Sequence, residues 1–283
     1  ELILHPMVED IKEAVGSMGD DTPVAVLSDR YRPLSHFFRQ NFSQVTNPPI
    51  DSLRENEVMS LKTRFGNTGN ILDFENLTKD NIYVLESPVL SNSQFEKFSN
   101  FFKKNIRILD CTFDIKESLK GRLKQLRSEA EIAVREGGKH LVLTDRKINE
   151  NKASVPMALA IGAINSRLVD LGIRGFASIN VQTAEVLDTH SFAVLLGVGA
   201  TTINPYIAFD SIHQRYEKGL FEKISFKESV QRYVKSVDNG LLKIMSKMGI
   251  SVLSAYRGGC NFEAVGLSRS VVAEYFPGMI SRI

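Results

Sequence analysis

The sequence is poor in cysteine, in net charge and in long apolar runs, and each shortage excludes a class of protein. Its two cysteines, Cys111 and Cys260, lie far apart and form no Cys-x-x-Cys or Cys/His pair. That spacing argues against a metal site, and so few cysteines are typical of a reducing compartment. We therefore expect a cytoplasmic protein without a bound metal.

The charge is nearly balanced, with a formal net charge of +2 at pH 7 and interleaved basic and acidic residues. A nucleic-acid-binding surface normally concentrates lysine and arginine on one side. The longest uninterrupted apolar run, residues 192–200, is about half of what a membrane-spanning helix needs. We expect neither a nucleic acid nor a membrane as a partner.

The N-terminal residues resemble neither a signal peptide nor a natural start. They combine no basic region with a long apolar core, and Glu1 replaces the initiator methionine. The first residue therefore predicts a segment cut from a longer polypeptide. Hydrophobic residues make up 43% of the chain and charged residues 24%, the balance of a soluble globular protein. No linker or repeat divides the chain, so we expect residues 1–283 to form one domain.

Apolar runs alternate with helical patterns along most of the chain. Capping boxes at Ser93 and Ser225 predict two helix starts. Pro156 is expected just inside another helix, after the candidate cap Ser154, and a short helix is expected at 36–40. Two helices carry apolar faces, formed by Leu123, Leu126, Ala130 and Ala133 in one and by Val230, Val234, Val237, Leu241 and Met245 in the other. The predicted strands are Val24–Ser28, Ile82–Leu85, Ile106–Asp110, Leu141–Thr144, Phe176–Val181, Thr201–Asn204 and Ser251–Ala255, with Val58–Leu61 a weak eighth.

The most apolar stretch, Phe192–Phe209, is predicted to form a buried helix, a glycine turn and a buried strand. A segment that is apolar on all sides must be covered on both faces, as in a parallel sheet with flanking helices. The fold class predicted is therefore α/β with a parallel β/α architecture. An irregular TIM-like β/α barrel fits the strand count, and an open doubly wound sheet remains the alternative.

Three local motifs have both a chemical and a structural interpretation. Gly197-Val-Gly199 resembles a dinucleotide fingerprint, but Thr202 replaces its third glycine and a helix precedes it, which favours a helix end. Asp188 and His190 have the spacing of an acid/base pair, although a polar cluster at a helix start fits better. Cys260 lacks a nearby histidine to activate it, which favours a partly buried, inert thiol.

Aromatic and charged stretches favour structural roles. The pairs Phe37-Phe38 and Phe101-Phe102 are predicted to lie in the core, and the charged stretch 116–135 to be a solvated helix face. The residues alone thus predict no catalytic set and no cofactor site. A stand-alone barrel enzyme acting on a small metabolite would need polar side chains at the strand ends, for which the candidates are Asp110, Asp145, Asn180 and Asn204.

Several separated blocks resemble the central domain of the large (alpha) chain of glutamate synthase, in the same order and over essentially the whole chain. The most specific are the proline-rich block Val45-Thr-Asn-Pro-Pro-Ile-Asp51 and the block Leu241-Leu-Lys-Ile-Met-Ser-Lys-Met-Gly-Ile-Ser251. The others are Met18–Ser28, Arg54-Glu55, Val58–Leu61, His190–Phe209, Tyr256-Arg-Gly258, Phe262-Glu263 and Gly266-Leu267. The sequence departs from the family pattern at His36-Phe37 and at Gly259-Cys-Asn261, so no family role is transferred to His36 or Cys260.

The resemblance implies that this chain is a connecting domain within an oxidoreductase that makes glutamate from glutamine and 2-oxoglutarate. Its partners would be the amidotransferase and FMN-binding domains of the same polypeptide, and a small NAD(P)H-oxidising subunit is a further candidate. In such enzymes FMN and an iron–sulfur cluster lie outside this segment, and NAD(P)H or ferredoxin donates electrons. We expect no cofactor and no activity in the 283-residue chain alone; the alternatives are the barrel enzyme above and a purely structural interaction module.

The family's central domain also helps to line a tunnel that carries ammonia between two active sites. The resemblance puts Met18, Thr46, Asn47, Pro48 and Pro49 near the tunnel mouth. Ammonia must cross as a neutral molecule, because ammonium is strongly hydrated and costly to desolvate. A rigid diproline loop with a hydroxyl and an amide, beside a flexible methionine, suits such a lining. The alternative is that both segments are turns at a domain boundary.

Overall fold

The computed structural model of the chain describes residues 2–14, 24–41, 48–51, 53–66, 72, 82–221 and 223–282. Three of the five expected tunnel residues, Met18, Thr46 and Asn47, lie outside these ranges. No helix in the described ranges is long and apolar enough to cross a membrane.

The described residues form ten α-helices and eleven strands. The helices are α1 (Leu4–Glu9), α2 (Glu55–Val58), α3 (Asn92–Phe101), α4 (Leu119–Arg135), α5 (Met157–Asp170), α6 (Thr189–Gly197), α7 (Tyr206–Glu217), α8 (Phe226–Lys247), α9 (Leu253–Tyr256) and α10 (Arg269–Tyr275). The strands are β1 (Phe38–Gln40), β2 (Thr63–Phe65), β3 (Tyr83–Leu85), β4 (Ile106–Asp110), β5 (Thr112–Asp114), β6 (His140–Thr144), β7 (Lys152–Ser154), β8 (Ser178–Gln182), β9 (Thr202–Asn204), β10 (Phe262–Val265) and β11 (Ile280–Arg282). Three short 3₁₀ helices cover Ala25–Leu27, Leu34–Phe37 and Arg174–Phe176.

A four-stranded parallel sheet in the order β4-β6-β8-β9 forms the centre of the molecule. Each strand is added on the same side of the one before it, as in a β/α barrel. In a doubly wound sheet the order of addition reverses, so that later strands are added on the opposite side of the first one. A parallel bridge between Val89 and Ile203 adds one more segment beyond β9. The parallel α/β class is confirmed, and the strands of the described residues form an open sheet rather than a closed barrel.

Helices cover the apolar face of this sheet. Leu141, Leu143, Ile179 and Val181 are fully buried, and α4 packs against α5, which in turn contacts α6. The predicted face of α4, formed by Leu123, Leu126, Ala130 and Ala133, is buried. The prediction of a solvated charged face holds only in part, because Arg122 and Arg127 are partly buried and donate to the carbonyls of Asp110 and Ala163. The core of the parallel layer therefore follows the apolar pattern of the sequence.

Helix α8 is a main support of the core, as its apolar seam predicts. Its N-cap Ser225 accepts a hydrogen bond from the backbone N–H of Glu228. Val237, Leu241 and Met245 are at most 1% exposed, and the helix packs against α1, α6 and α7. The helix thus buries one face across several elements of the fold.

Two predicted strands at the chain's ends are wrong. The segment predicted at 24–28 contains a 3₁₀ helix, and its Leu27 is 74% exposed, because no neighbouring strand of the described residues pairs with it. The segment predicted at 251–255 contains α9 instead. Leu253 and Tyr256 are both fully buried at a helical spacing of three residues, and only Val252 makes a bridge, to Ser60. The segment predicted as a weak eighth strand at 58–61 forms no strand, and its one β contact is the bridge of Ser60 to Val252.

Short pairings, antiparallel except for the parallel pair β10–β11, account for the strands that the sequence pattern did not indicate. The predicted helix at 36–40 ends at Phe37, and β1 pairs antiparallel with β10, which pairs with β11. The predicted strand at 82–85 forms, but it pairs antiparallel with β2, and β5 pairs with β7. These pairings join segments far apart in sequence, so no local pattern indicates them.

Three predictions on caps and aromatic residues need correction. The N-cap of α3 is Ser91 rather than Ser93, because Ser91 and Gln94 form the capping box. Pro156 is the residue before α5, and Ser154 lies in β7 rather than capping the helix. Phe38 and Phe102 are buried, but Phe101 is 52% exposed and belongs to the surface.

Candidate functional site

A row of polar side chains crosses the carboxyl end of the parallel sheet. The strand register aligns Asp110 with Thr144, Thr144 with Gln182, and Gln182 with Asn204. Ligand sites of parallel sheets lie beyond these ends, so this row is the natural candidate for a site. Two of the four candidates named from the sequence, Asp110 and Asn204, belong to the row. Asp145 follows it by one residue, and Asn180 lies two residues before it in β8.

Most of this row is joined by hydrogen bonds between its own members. Thr144 Oγ1 donates to Gln182 Oε1 at 3.1 Å, and Gln182 Nε2 donates to Asn204 Oδ1 at 3.1 Å. Asn204 Nδ2 in turn donates to the Leu90 carbonyl and to Asn92 Oδ1, both at 2.9 Å. The amides therefore fix the sheet edge to the first turn of α3. Bonded in this way, they are structural groups rather than free ligands for a substrate.

Asn180 and Asp110 are also engaged within the fold. Asn180 is fully buried, donates to Ser178 Oγ at 2.8 Å and accepts from Thr202 Oγ1 at 2.7 Å. Asp110 Oδ1 accepts from Thr112 Oγ1 at 2.8 Å, and Asp110 Oδ2 lies 3.2 Å from the ammonium group of Lys147. Asp110, Asp145 and Asn204 lie at one end of the sheet, whereas Asn180 lies in the middle of β8. Each of the four is bonded to neighbours outside this set.

Asp145 is the exception to this pattern of satisfied groups. Its side chain is fully buried, and Oδ2 accepts from Thr183 Oγ1 at 2.7 Å and from the Ala184 N–H at 2.9 Å. Its Oδ1 has no hydrogen-bond partner among the described residues. Burial, together with the charge of Asp145, raises the pKa of Tyr206. Asp145 thus holds the loop after β8, and no histidine, cysteine or lysine of the described residues is bonded to it.

A shallow cavity of about 370 Å³ lies between α3 and this sheet edge. It is lined by Asn92, Phe95, Glu96, Ser99, Asn100, Arg146 and Gln182. The guanidinium of Arg146 stacks 4.3 Å above the ring of Tyr206. No sequence motif indicates these lining residues, and the one usable signal is that Arg146 and Gln182 lie at strand ends. In the part of the chain that the structure describes, no group of three or more His, Cys, Asp or Glu side chains is arranged to hold a metal ion.

The Asp188/His190 motif has the structural role that the sequence favoured. Asp188 caps α6 by accepting from the Ser191 N–H at 2.7 Å. His190 Nε2 lies 2.9 Å from the Ser35 carbonyl, and the pair therefore anchors the helix start. Both side chains are therefore engaged in hydrogen bonds within the chain, whereas an acid/base pair would need an atom that is free to exchange a proton with a substrate.

The glycine motif ends α6, as predicted. A Cβ at Gly197 would overlap the ring of Phe262, and Gly199 has a φ of 124°. Only glycine accommodates this close approach and this backbone conformation. Cys260, by contrast, is exposed, so the prediction of a partly buried thiol is wrong. Its backbone has a φ of 53°, and its Sγ lies 3.9 Å from the Pro277 carbonyl oxygen.

The described part of the expected tunnel loop is the diproline segment. Pro48 and Pro49 are both exposed, and the next residue, Ile50, donates its N–H to the Ser246 carbonyl at 2.8 Å. That bond fastens the segment to the last turn of α8. Both prolines are therefore on the surface, next to the helix that supports the core.

The chain was compared with known protein families and with known proteins. Residues 1–268 match the family model described as the glutamate synthase central domain. The chain is 57% identical over 286 aligned residues to the glutamate synthase [NADPH] large chain of Azospirillum brasilense and 40% identical to that of Bacillus subtilis. It is also 40% identical to a chloroplastic ferredoxin-dependent glutamate synthase of Oryza sativa. The alignment with the Azospirillum brasilense protein covers 100% of this chain but only 19% of that relative. The alignments with the other two relatives cover 18% of each of them.

Among solved structures, a mutant flavocytochrome b2 with benzoylformate aligns with 65% of this chain at 13% identity and a TM-score of 0.41, over 40% of that chain. A similarity at this level carries no conclusion about function.

Proposed function

Because the chain belongs to the glutamate synthase central domain family, we propose that it is the connecting domain of an enzyme that makes glutamate from glutamine and 2-oxoglutarate. The observation that carries this proposal is the match of residues 1–268 to the family model, together with the identity of 57% to a glutamate synthase large chain. The chain spans about a fifth of the length of these relatives, so the complete reaction requires further domains. The 283-residue chain alone should neither hydrolyse glutamine nor form glutamate.

The proposed partners are an amidotransferase domain and an FMN-binding domain of the same polypeptide. FMN and an iron–sulfur cluster would be bound outside residues 1–283, and a small NAD(P)H-oxidising subunit is a further candidate partner. Relatives named for NADPH and for ferredoxin are both similar to this chain, so either is a candidate electron donor. The two cysteines are unpaired, which is compatible with a reducing compartment such as the cytoplasm.

Within this role we infer that the loops containing Met18 and Thr46–Pro49 line an ammonia passage. A passage for neutral ammonia should be narrow, rigid and weakly polar, because water would protonate the ammonia and hydrate the ammonium ion. The diproline of 48–49 restricts the second loop, and its attachment to the end of α8 supports a fixed position. Neither proline is buried by the described residues, which leaves both accessible to a neighbouring domain.

The substitution Thr46→Phe in the full-length enzyme tests the passage. A ring at this position should obstruct ammonia, so that glutamine is hydrolysed without an equal yield of glutamate. Added free ammonia should then restore glutamate formation, because it bypasses the passage. The measurement is the ratio of glutamine consumed to 2-oxoglutarate consumed.

Ser128→Phe is the matched control, because it adds the same ring on an exposed position of α4. It should keep the two reactions coupled, and so should Thr46→Ala. If Thr46→Phe keeps a one-to-one ratio at the wild-type rate, these loops do not line the passage. Loss of glutamate formation that ammonia fails to restore would instead indicate damage to the synthase site.

A further inference from the structure

The cavity of about 370 Å³ lies at the carboxyl end of the parallel sheet, the end at which sheets of this class bind their ligands. One of its walls is a single face of α3, formed by side chains at helical spacing, namely Asn92, Phe95, Glu96, Ser99 and Asn100. The facing wall is formed by Gln182 at the end of β8 and by Arg146 in the loop after β6. Small-molecule sites of proteins start at about 300 Å³, so the cavity has room for one small metabolite.

The amides of this lining are held in place by the fold. Gln182 is bonded to Thr144 on one side and to Asn204 on the other, each at 3.1 Å. Asn92 Oδ1 accepts from Asn204 Nδ2 at 2.9 Å. These bonds make the amides a fixed polar wall. Recognition of a ligand therefore depends mainly on the two charged residues of the lining, Arg146 and Glu96.

Arg146 is supported by an aromatic ring. Its guanidinium carbon lies 4.3 Å from the centroid of the Tyr206 ring, and Tyr206 is only 8% exposed. Burial and the charge of Asp145 raise the pKa of Tyr206, so its hydroxyl stays protonated and the ring stays neutral. Among the described residues, no carboxylate forms an ion pair with Arg146, and no group accepts a hydrogen bond from its guanidinium. The N–H groups of Arg146 are therefore available to a ligand.

Glu96 supplies the opposite charge on the α3 wall. It is exposed, and it forms no ion pair with Arg146 or with another basic residue of the described ranges. A simple anion near Arg146 would be repelled by Glu96, and a simple cation near Glu96 would be repelled by Arg146. A small ligand that carries both charges is attracted by both residues.

We propose that this cavity binds a free amino acid, with its carboxylate at Arg146 and its ammonium group at Glu96. The fork of a guanidinium matches a carboxylate, and hydrogen bonds between charged groups are stronger than those between neutral ones. The amide wall of Asn92 and Gln182 favours an amino acid with a polar side chain. Binding at this cavity is independent of the reaction proposed above and involves no chemical step.

An NMR titration of the 283-residue chain with L-glutamine tests the proposal. The backbone amide signals of Glu96 and Arg146 are followed up to about 50 mM glutamine, at which a site with a Kd of about 1 mM is nearly filled. Both signals should shift with saturation, and the signal of Arg64, an exposed residue of β2, should not. Sodium propionate and ethylammonium chloride each carry one of the two charges. At equal ionic strength each should bind at least about tenfold more weakly than glutamine, the usual scale for loss of a charged hydrogen bond.

Two variants assign the charges. Glu96→Gln keeps the shape of an exposed side chain that has no partner in the described structure, so it should fold as the wild type does. Its affinity for glutamine should fall by at least about tenfold, and propionate should bind more tightly, because the repulsion by Glu96 is gone. Arg146→Met should weaken glutamine binding to the same extent. The matched controls are Glu117→Gln and Lys97→Met, which change exposed charges outside the cavity and should leave both affinities unchanged.

Three results would overturn the proposal. Without a saturable shift in the wild type, the cavity binds no amino acid of this kind. Equal affinities of the wild type for glutamine and propionate would show a site for anions only, in which Glu96 has no part. An unchanged affinity for glutamine in Glu96→Gln or in Arg146→Met would place the ligand elsewhere on the chain.

Discussion

The carboxyl group of Asp238 offers a quantitative test of the packing of α8. It is half-buried between the helix and the segment before α3, where Ser87 Oγ donates to its Oδ1 at 2.6 Å. The same hydroxyl accepts from the Val89 N–H at 3.0 Å, so the bond fixes the start of that segment. Burial raises the pKa of Asp238 from 3.8 to about 7, against smaller lowering effects of Ser87 and Lys235.

The direction of the pH dependence follows from the two pKa values. Between pH 3.8 and about pH 7 the folded protein holds a proton on Asp238 that the unfolded chain has released. The stability linked to this proton is fully present below the lower value and is lost as the pH rises through the higher one. A shift of about three units corresponds to at most about 4 kcal/mol. Since solvent partly reaches the group, we expect about 1–3 kcal/mol.

Asp238→Asn removes this titration while keeping the shape and an acceptor for Ser87. We expect the variant to be more stable than the wild type by about 1–3 kcal/mol at about pH 8.5, and equal within about 0.5 kcal/mol at about pH 3.5, below both pKa values. Urea denaturation of both proteins at the two pH values measures the difference. Asp210→Asn, at an exposed position of α7, corrects for the general effect of removing one negative charge.

A stability difference between wild type and Asp238→Asn that is the same at both pH values would refute this reasoning, because no proton would then be linked to folding at this site. A loss of stability at about pH 8.5 would show that the ionised carboxylate is well solvated or paired in the folded protein.

Two further substitutions test the core. Leu241→Ala should lower the free energy of unfolding by about 2–5 kcal/mol, because Leu241 is 1% exposed in the seam of α8. Leu242→Ala, at a partly buried position of the same helix, should lower it clearly less. Chemical denaturation measures both, and a loss below about 1 kcal/mol for Leu241→Ala would contradict the burial. Gly162→Ala should lower the free energy of unfolding by about 1–3 kcal/mol, because the added Cβ would overlap the Phe276 ring and lie 2.6 Å from the Tyr275 carbonyl. Its Tm in thermal unfolding should be lower than that of Gly175→Ala, whose added Cβ meets nothing within 4 Å. Equal Tm values for the two variants would mean that α10 moves away without cost.

The parallel layer was predictable because its sequence signal is local. β4, β6 and β8 are five-residue strands, and each is separated from the next by a helix with an apolar face. The apolar side chains of β6 and β8 are buried, whereas in β4 Leu109 is buried and Ile108 is 70% exposed. Strand and helix periods therefore alternate within short windows. The strand order follows from the same alternation, but barrel closure does not, because it depends on whether the outermost strands meet.

The antiparallel pairings could not be predicted from local patterns. β1 has three residues, too few to show an alternation, and it is extended because β10 pairs with it from more than 200 residues away. The segment at 24–28 shows the converse. It has the composition of a strand but no partner to pair with in the described structure, and it forms a 3₁₀ turn instead.

The candidate site was predictable as a location but not as a bonding pattern. Polar residues after buried strands marked the carboxyl end of the sheet, and Asp110, Asp145 and Asn204 do lie there. Whether those side chains face a substrate or each other depends on register. Gln182 lies opposite both Thr144 and Asn204, so its amide joins them, and no local sequence pattern indicates this role.

The polar groups at both ends of the parallel sheet are mostly bonded within the chain. At the carboxyl end, Gln182 joins Thr144 to Asn204. At the amino end, His140 Nδ1 lies 2.9 Å from Ser178 Oγ, which also accepts from Asn180 Nδ2 at 2.8 Å. Satisfied networks of this kind stabilise the fold, so the number of polar side chains at a sheet end does not by itself indicate a ligand.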